Sequence, residues 1–116
     1  MRHLQLLATL LILLSLGGPV VAAEPVAKIS VLSSGKVLLN GKPTTLAALD
    51  TALGSLAASK GVVWYYREAA EAAEPPAAST QVIELVIKHR LPISMSTKAD
   101  FSDAVGADGQ PHRREP

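Results

Sequence analysis

The sequence contains no cysteine. A disulfide scaffold is therefore excluded, and in an oxidising compartment the fold has to rest on its core alone. Aromatic residues are few, with one Trp, two Tyr and one Phe, and three of those four stand together at Trp64-Tyr65-Tyr66. An excess of charge of one sign is missing too. Eleven Lys and Arg face ten Asp and Glu, and setting aside Arg2 leaves ten against ten. Nothing in that balance steers the chain toward nucleic acid or an anionic membrane.

Long apolar runs are also lacking. The longest, the almost unbroken stretch Leu4 to Leu16, has 13 residues, although Gly17 to Ala23 could extend it. As a helix it spans about 20 Å, short of the ~30 Å hydrocarbon core of a bilayer. Arg2 and His3 precede it, Gly17-Gly18-Pro19 ends it, and Val21-Ala22-Ala23 offers small residues for cleavage. This layout predicts a secretory signal peptide over residues 1–23, with a membrane anchor as the alternative if the segment is not cut. The 93 residues that follow suffice for one modest domain.

Gly61-Val62-Val63-Trp64-Tyr65-Tyr66-Arg67 is the stretch around which the rest is organised. Five consecutive β-branched or aromatic residues between a Gly and a charge predict a central buried strand. Ala27 to Leu32 alternates, with Ala27, Ile29 and Val31 on one side and Lys28 and Ser30 on the other. A half-buried strand fits that period. Ser33-Ser34-Gly35 is a hairpin turn into a second strand at Lys36 to Leu39, and Asn40-Gly41-Lys42-Pro43 is expected to end the ladder.

Leu46, Leu49, Leu53 and Leu56 form one helical stripe, capped by Thr44 or Thr45 and ended near Lys60 and Gly61. Glu68 to Ala78, rich in Ala, Glu and Pro, reads as a solvated loop. A second helix is expected from Thr80 to Arg90, capped by Ser79 or Thr80, with Val82, Ile83, Leu85, Val86 and Ile87 toward the core. His89 in its last turn suits the helix dipole. Leu91-Pro92 ends that helix, and Ile93-Ser94-Met95-Ser96 alternates as a last strand, placed at a sheet edge by Pro92. Residues 100–116 read as a tail, partly disordered, with Phe101 and Val105 as its apolar residues. Asp100, Asp103 and Asp108 do not carry calcium-loop spacing, so no metal or other cofactor is expected.

The order strand, strand, helix, strand, helix, strand defines an α+β domain over residues 24–99. Lys28 to Thr97 resembles the periplasmic domain of the ExbD/TolR family. The likeness is carried by Val37-Leu38-Leu39-Asn40-Gly41-Lys42-Pro43 leading into the Leu-stripe helix, by Val62-Val63-Trp64, and by Ile93 to Thr97. It implies a two-layer sandwich with a mixed sheet and both helices on one face. It also implies membership of proton-driven envelope complexes, dimer formation and, in the TolR branch, contact with peptidoglycan. On the family pattern Val62, Trp64 and Tyr66 face the helices, meeting Leu49, Leu53, Val82 and Val86.

Three departures limit the likeness. Leu4 to Leu16 lacks the acidic residue that couples the family to the proton gradient, the central strand closes on Arg67 followed by Glu68, and the loop after it is longer. Proton coupling is therefore not carried over.

With Trp64 inward, alternation turns Val63, Tyr65 and Arg67 to the side the helices leave bare, beside Leu38. An interface for a second copy, an envelope protein or peptidoglycan is expected on Leu38, Val63, Tyr65 and Arg67; the alternative cover is the segment from Phe101 to Val105. No catalytic residues are assigned. The expected function is an exported, non-enzymatic binding or assembly module of the bacterial periplasm or exterior. The alternative, a small secreted hydrolase, lacks a nucleophile elbow or Gly-rich oxyanion loop.

Overall fold

Seven strands and two helices make up the described residues, 24–71 and 74–115, of the computed structural model. The leader read over residues 1–23 lies outside them, as do Ala72 and Ala73 of the loop after the Trp64 strand. The strands are β1 (Val26–Val31), β2 (Val37–Leu39), β3 (Lys42–Thr44), β4 (Val62–Arg67), β5 (Ile93–Ser96), β6 (Asp103–Val105) and β7 (Pro111–Arg113). The helices are α1 (Leu46–Ala58) and α2 (Ala77–Lys88).

The first five strands form one mixed sheet in the order β3-β2-β1-β4-β5. β1 pairs antiparallel with β2 and parallel with β4, and β4 pairs parallel with β5. Both helices pack on one face, so the architecture is an α+β two-layer sandwich. Leu49 and Leu53 from α1 and Val82 and Val86 from α2 meet Ile29, Val31, Val63 and Tyr65 from the sheet. Leu49, Leu53, Ile29, Val31, Val63 and Val82 are wholly buried, each worth about 1.5–3 kcal/mol relative to exposure. The middle strand is β1, with β4 beside it.

Several local expectations change. Asn40-Gly41 does not end the ladder. With φ of 51° and 84° it makes a tight two-residue turn, and β3 continues the sheet as an edge strand where Pro43 needs no donor. α2 starts at Ala77 with Pro76 as its N-cap, so Ser79 lies inside the helix and is buried instead of capping it. Ile83 and Leu85 are half-buried against the core, whereas Ile87 is 67% exposed. The tail is not disordered over the described residues: β6 and β7 pair as an antiparallel hairpin.

Both helices end in the same way. Lys60 and Arg90 take left-handed φ of 56° and 54°. The amides of Lys60 and Gly61 return to Ala57 and Leu56, and those of Arg90 and Leu91 to Ile87 and Val86. These are Schellman closures with a basic residue where glycine is usual. Gly61 stands one position later than the left-handed residue. A Cβ there would lie 2.7 Å from the Pro25 carbonyl oxygen and closer still to Leu56 Cδ1, so its size is what the turn into β4 requires.

Candidate partner-binding site

The parallel register of β1 and β4 decides which way the Trp64 strand faces. Ala27 stands beside Val63, Ile29 beside Tyr65, and Lys28 beside Trp64. Neighbours across a ladder share a face. Since Ala27, Ile29 and Val31 line the core, Val63 and Tyr65 turn to the helices with them, at 0% and 5% exposure. The Tyr65 hydroxyl shares a 2.8 Å hydrogen bond with Ser79 Oγ on α2. Trp64 and Tyr66 point to the opposite face.

This overturns the interface expected on Leu38, Val63, Tyr65 and Arg67. Leu38, beside Ser30 and Pro43, does lie on the face without helices. Val63 and Tyr65 are core residues. Arg67, beside Val31, belongs to the helix side of the sheet, is half-buried, and donates from Nη2 to the Ala70 carbonyl at 2.6 Å. The four residues share no surface.

The chain's own carboxyl end covers part of the face without helices. The Arg114 guanidinium carbon lies 3.8 Å from the Trp64 ring centroid, and Lys28 Nζ lies 5.6 Å from the same ring. Arg114 Nη1 donates to Ser94 Oγ at 3.0 Å and Nε to the Phe101 carbonyl at 2.9 Å, while Nη2 is buried with no partner among the described residues. Phe101 meets Tyr66 edge to face at 6.3 Å. It is 7% exposed and holds a φ of 58°, costly for an aromatic residue.

Asp103 fastens the hairpin to the end of β5. Its carboxylate accepts from the Thr97 hydroxyl, from Ser96 Oγ at 2.7 Å and from the Thr97 amide at 2.9 Å. The Thr97 hydroxyl, helped by Ser96 and the Thr97 amide, holds the Asp103 carboxyl down at about 2 although burial opposes it.

The remaining polar contacts also serve the fold. Asp50 on α1 accepts from His89 Nε2 at 2.6 Å and Lys88 Nζ at 2.9 Å, tying the two helices together; His89 and then Lys88 lower its carboxyl pKa. The Ser33 amide, then its hydroxyl, does the same to Glu68. His112 pairs with Asp108, and neither His89 nor His112 contacts a serine hydroxyl. Among the described residues no group of three potential metal ligands is found, and no helix is long and apolar enough to cross a membrane.

Among the described residues, what stays open is the outer edge of β5. The Val63 amide donates to the Pro92 carbonyl at 2.9 Å, which fixes the phase of the parallel ladder. Pro92, Ser94 and Ser96 then bond to β4, and the amides and carbonyls of Ile93 and Met95 point away from the sheet. Their side chains follow Val63 and Tyr65 to the helix side but are 38% and 40% exposed. Beyond the carboxyl ends of β4 and β5 lies an open cleft of about 450 Å³, lined by Tyr66, Arg67, Met95, Thr97 and Val105 among others. This edge and cleft are the candidate site. Ile93 and Met95 were visible in the sequence as the alternating residues of an edge strand, but nothing there showed that their outer groups stay unpaired.

No protein-family model matches the chain, and no curated protein matches it.

Proposed function

We propose that the chain is an exported, non-enzymatic binding or assembly module of the bacterial envelope, similar in role to the periplasmic domain of the ExbD/TolR family. The observation that carries this reading is the edge of β5, where exposed Ile93 and Met95 flank backbone groups without a partner among the described residues. An open edge is a template for another strand, and monomeric proteins ordinarily shield it with charge, Pro or a covering segment. Pro92 precedes this edge, but Ile93 to Ser96 themselves carry no charge. The α+β sandwich agrees with the resemblance, and the leader pattern of residues 1–23 supports export to the periplasm or beyond. The partner classes are an envelope protein, peptidoglycan or a second copy.

Fractionation of the producing cells, with mass spectrometry of the recovered chain and binding to purified cell wall, tests the reading. Recovery from the periplasm or envelope with residues 1–23 removed is expected, together with retention by wall or by a cross-linked envelope protein. Recovery of the uncut chain from the cytoplasm, or turnover of ester or peptide substrates, would overturn it.

A further inference from the structure

We propose that the β6–β7 hairpin is a strap: it lifts from the sheet as one unit while the sandwich beneath stays folded, and in doing so uncovers Trp64 and Tyr66.

The division of the core comes first. The buried cluster between the sheet and the helices runs from Ala27 to Leu91 and includes no residue after it. Phe101 is buried too, but against Tyr66 on the opposite face of β4. Lifting the hairpin therefore takes nothing from the layer that holds the helices to the sheet. β6 and β7, three residues each, also form a sheet of their own, separate from the five-stranded one. A two-stranded hairpin of that size is marginal in water, so its order depends on the surface it lies on. Once lifted, it loses its own pairing as well.

That surface holds it at a few points, and the hold has costs. Asp103 accepts from the Ser96 and Thr97 hydroxyls and from the Thr97 amide, and Arg114 stacks on Trp64 and donates to Ser94 Oγ. Two penalties of the closed form stand against these contacts. Phe101 is held at a φ of 58°, where its Cβ crowds the backbone. Arg114 Nη2 is buried with no partner among the described residues. Opening relieves both at once: Phe101 returns to an ordinary negative φ, and Nη2 regains water. Strained backbone held in place by surrounding contacts is characteristic of segments that switch. Phe101 also lies between Ser96, where β5 ends, and Asp103, where β6 begins, which is where a strap has to pivot.

The test is hydrogen exchange at single amides of the whole chain, followed by NMR under native conditions with increasing urea. Three amides report on the closed strap: Thr97, which donates to Asp103 Oδ1, Gly106, which donates to the Gln110 carbonyl, and Arg114, which donates to the Ser102 carbonyl. The amides of the β1–β4 ladder report on the sandwich. The expected result is that the three strap amides share one opening, with one dependence on urea, and are at least about tenfold less protected than the slowest ladder amides. A change in the core separates the two units. Ile29→Val trims a residue that stays packed whether the strap is open or closed. It should speed the ladder amides about two- to tenfold and leave the strap amides unchanged, and Val82→Ala on α2 should act in the same direction. Strap amides that match the ladder in protection, and speed up with it in Ile29→Val, would show a single cooperative fold and overturn the proposal. Three unrelated rates would show local fraying of β7 instead of a strap, and would overturn it too.

Discussion

Arg114, near the end of the chain, lies flat enough on Trp64 that its guanidinium carbon is 3.8 Å from the ring centroid. The contact joins the second-strand-from-the-edge, β4, to a segment whose composition predicts disorder, and it makes the carboxyl-terminal hairpin part of the domain. Lys28 approaches the same ring at 5.6 Å, so the sole tryptophan reports directly on whether the hairpin is seated.

Replacing Arg114 by Ala should remove about 0.5–2 kcal/mol and shift tryptophan emission to longer wavelength as the ring becomes wetter. Arg114→Lys should recover little, because an ammonium cannot stack as a planar fork or hold Ser94 and the Phe101 carbonyl together. Emission and melting curves of the two variants check this, and curves that coincide with wild type would place the hairpin elsewhere.

The hairpin should also be acid-labile. Asp103 has a carboxyl pKa depressed to about 2 by the Thr97 hydroxyl, Ser96 and the Thr97 amide. A depressed pKa contributes stability above the unfolded value, ~3.9, which is lost as pH falls toward the folded value. Stability should thus fall from about pH 4 down to about pH 2, with tryptophan emission following. Asp103→Asn should flatten that part of the profile, as measured by denaturation at a series of pH values.

Tyr65 tests the orientation of β4. Tyr65→Phe keeps the ring but leaves the buried Ser79 hydroxyl without its partner, and should cost about 1–3 kcal/mol. The double variant with Ser79→Ala should recover part of that loss. A surface Tyr65 would tolerate the single change within the error of a urea melt.

The turn into β4 separates two glycine arguments. Gly61→Ala forces a Cβ against the Pro25 carbonyl and Leu56 and should destabilise the fold clearly. Lys60→Gly relieves a left-handed residue and should stabilise it by about 0.5–1 kcal/mol. Thermal denaturation of both variants distinguishes this assignment from one in which Gly61 itself is the left-handed cap.

The legible parts of the fold were those with one unambiguous period. The Leu46, Leu49, Leu53 and Leu56 stripe gave α1 within two residues at each end, and Ala27, Ile29 and Val31 gave the buried face of β1. β4 is apolar on both sides, so alternation alone cannot say which side is inward. The parallel register to β1 settles it, because Ile29 and Tyr65 are neighbours, and register is a tertiary fact. The family pattern pointed Trp64 inward, and the interface built on it inherited the error. The tail misled for another reason: polar composition signals disorder only when the segment has nothing to bind, and Trp64, Tyr66 and Ser96 supply partners from far along the chain.

Among the described residues the outer edge of β5 is unpaired. Amide exchange in the free protein, followed residue by residue along β5, tests whether that edge is available. Ser94 and Ser96 donate to β4 and should be strongly protected, whereas Ile93 and Met95 should exchange nearly as fast as in an open loop. Equal protection of all four amides would mean that the edge is already covered, and would contradict the claim.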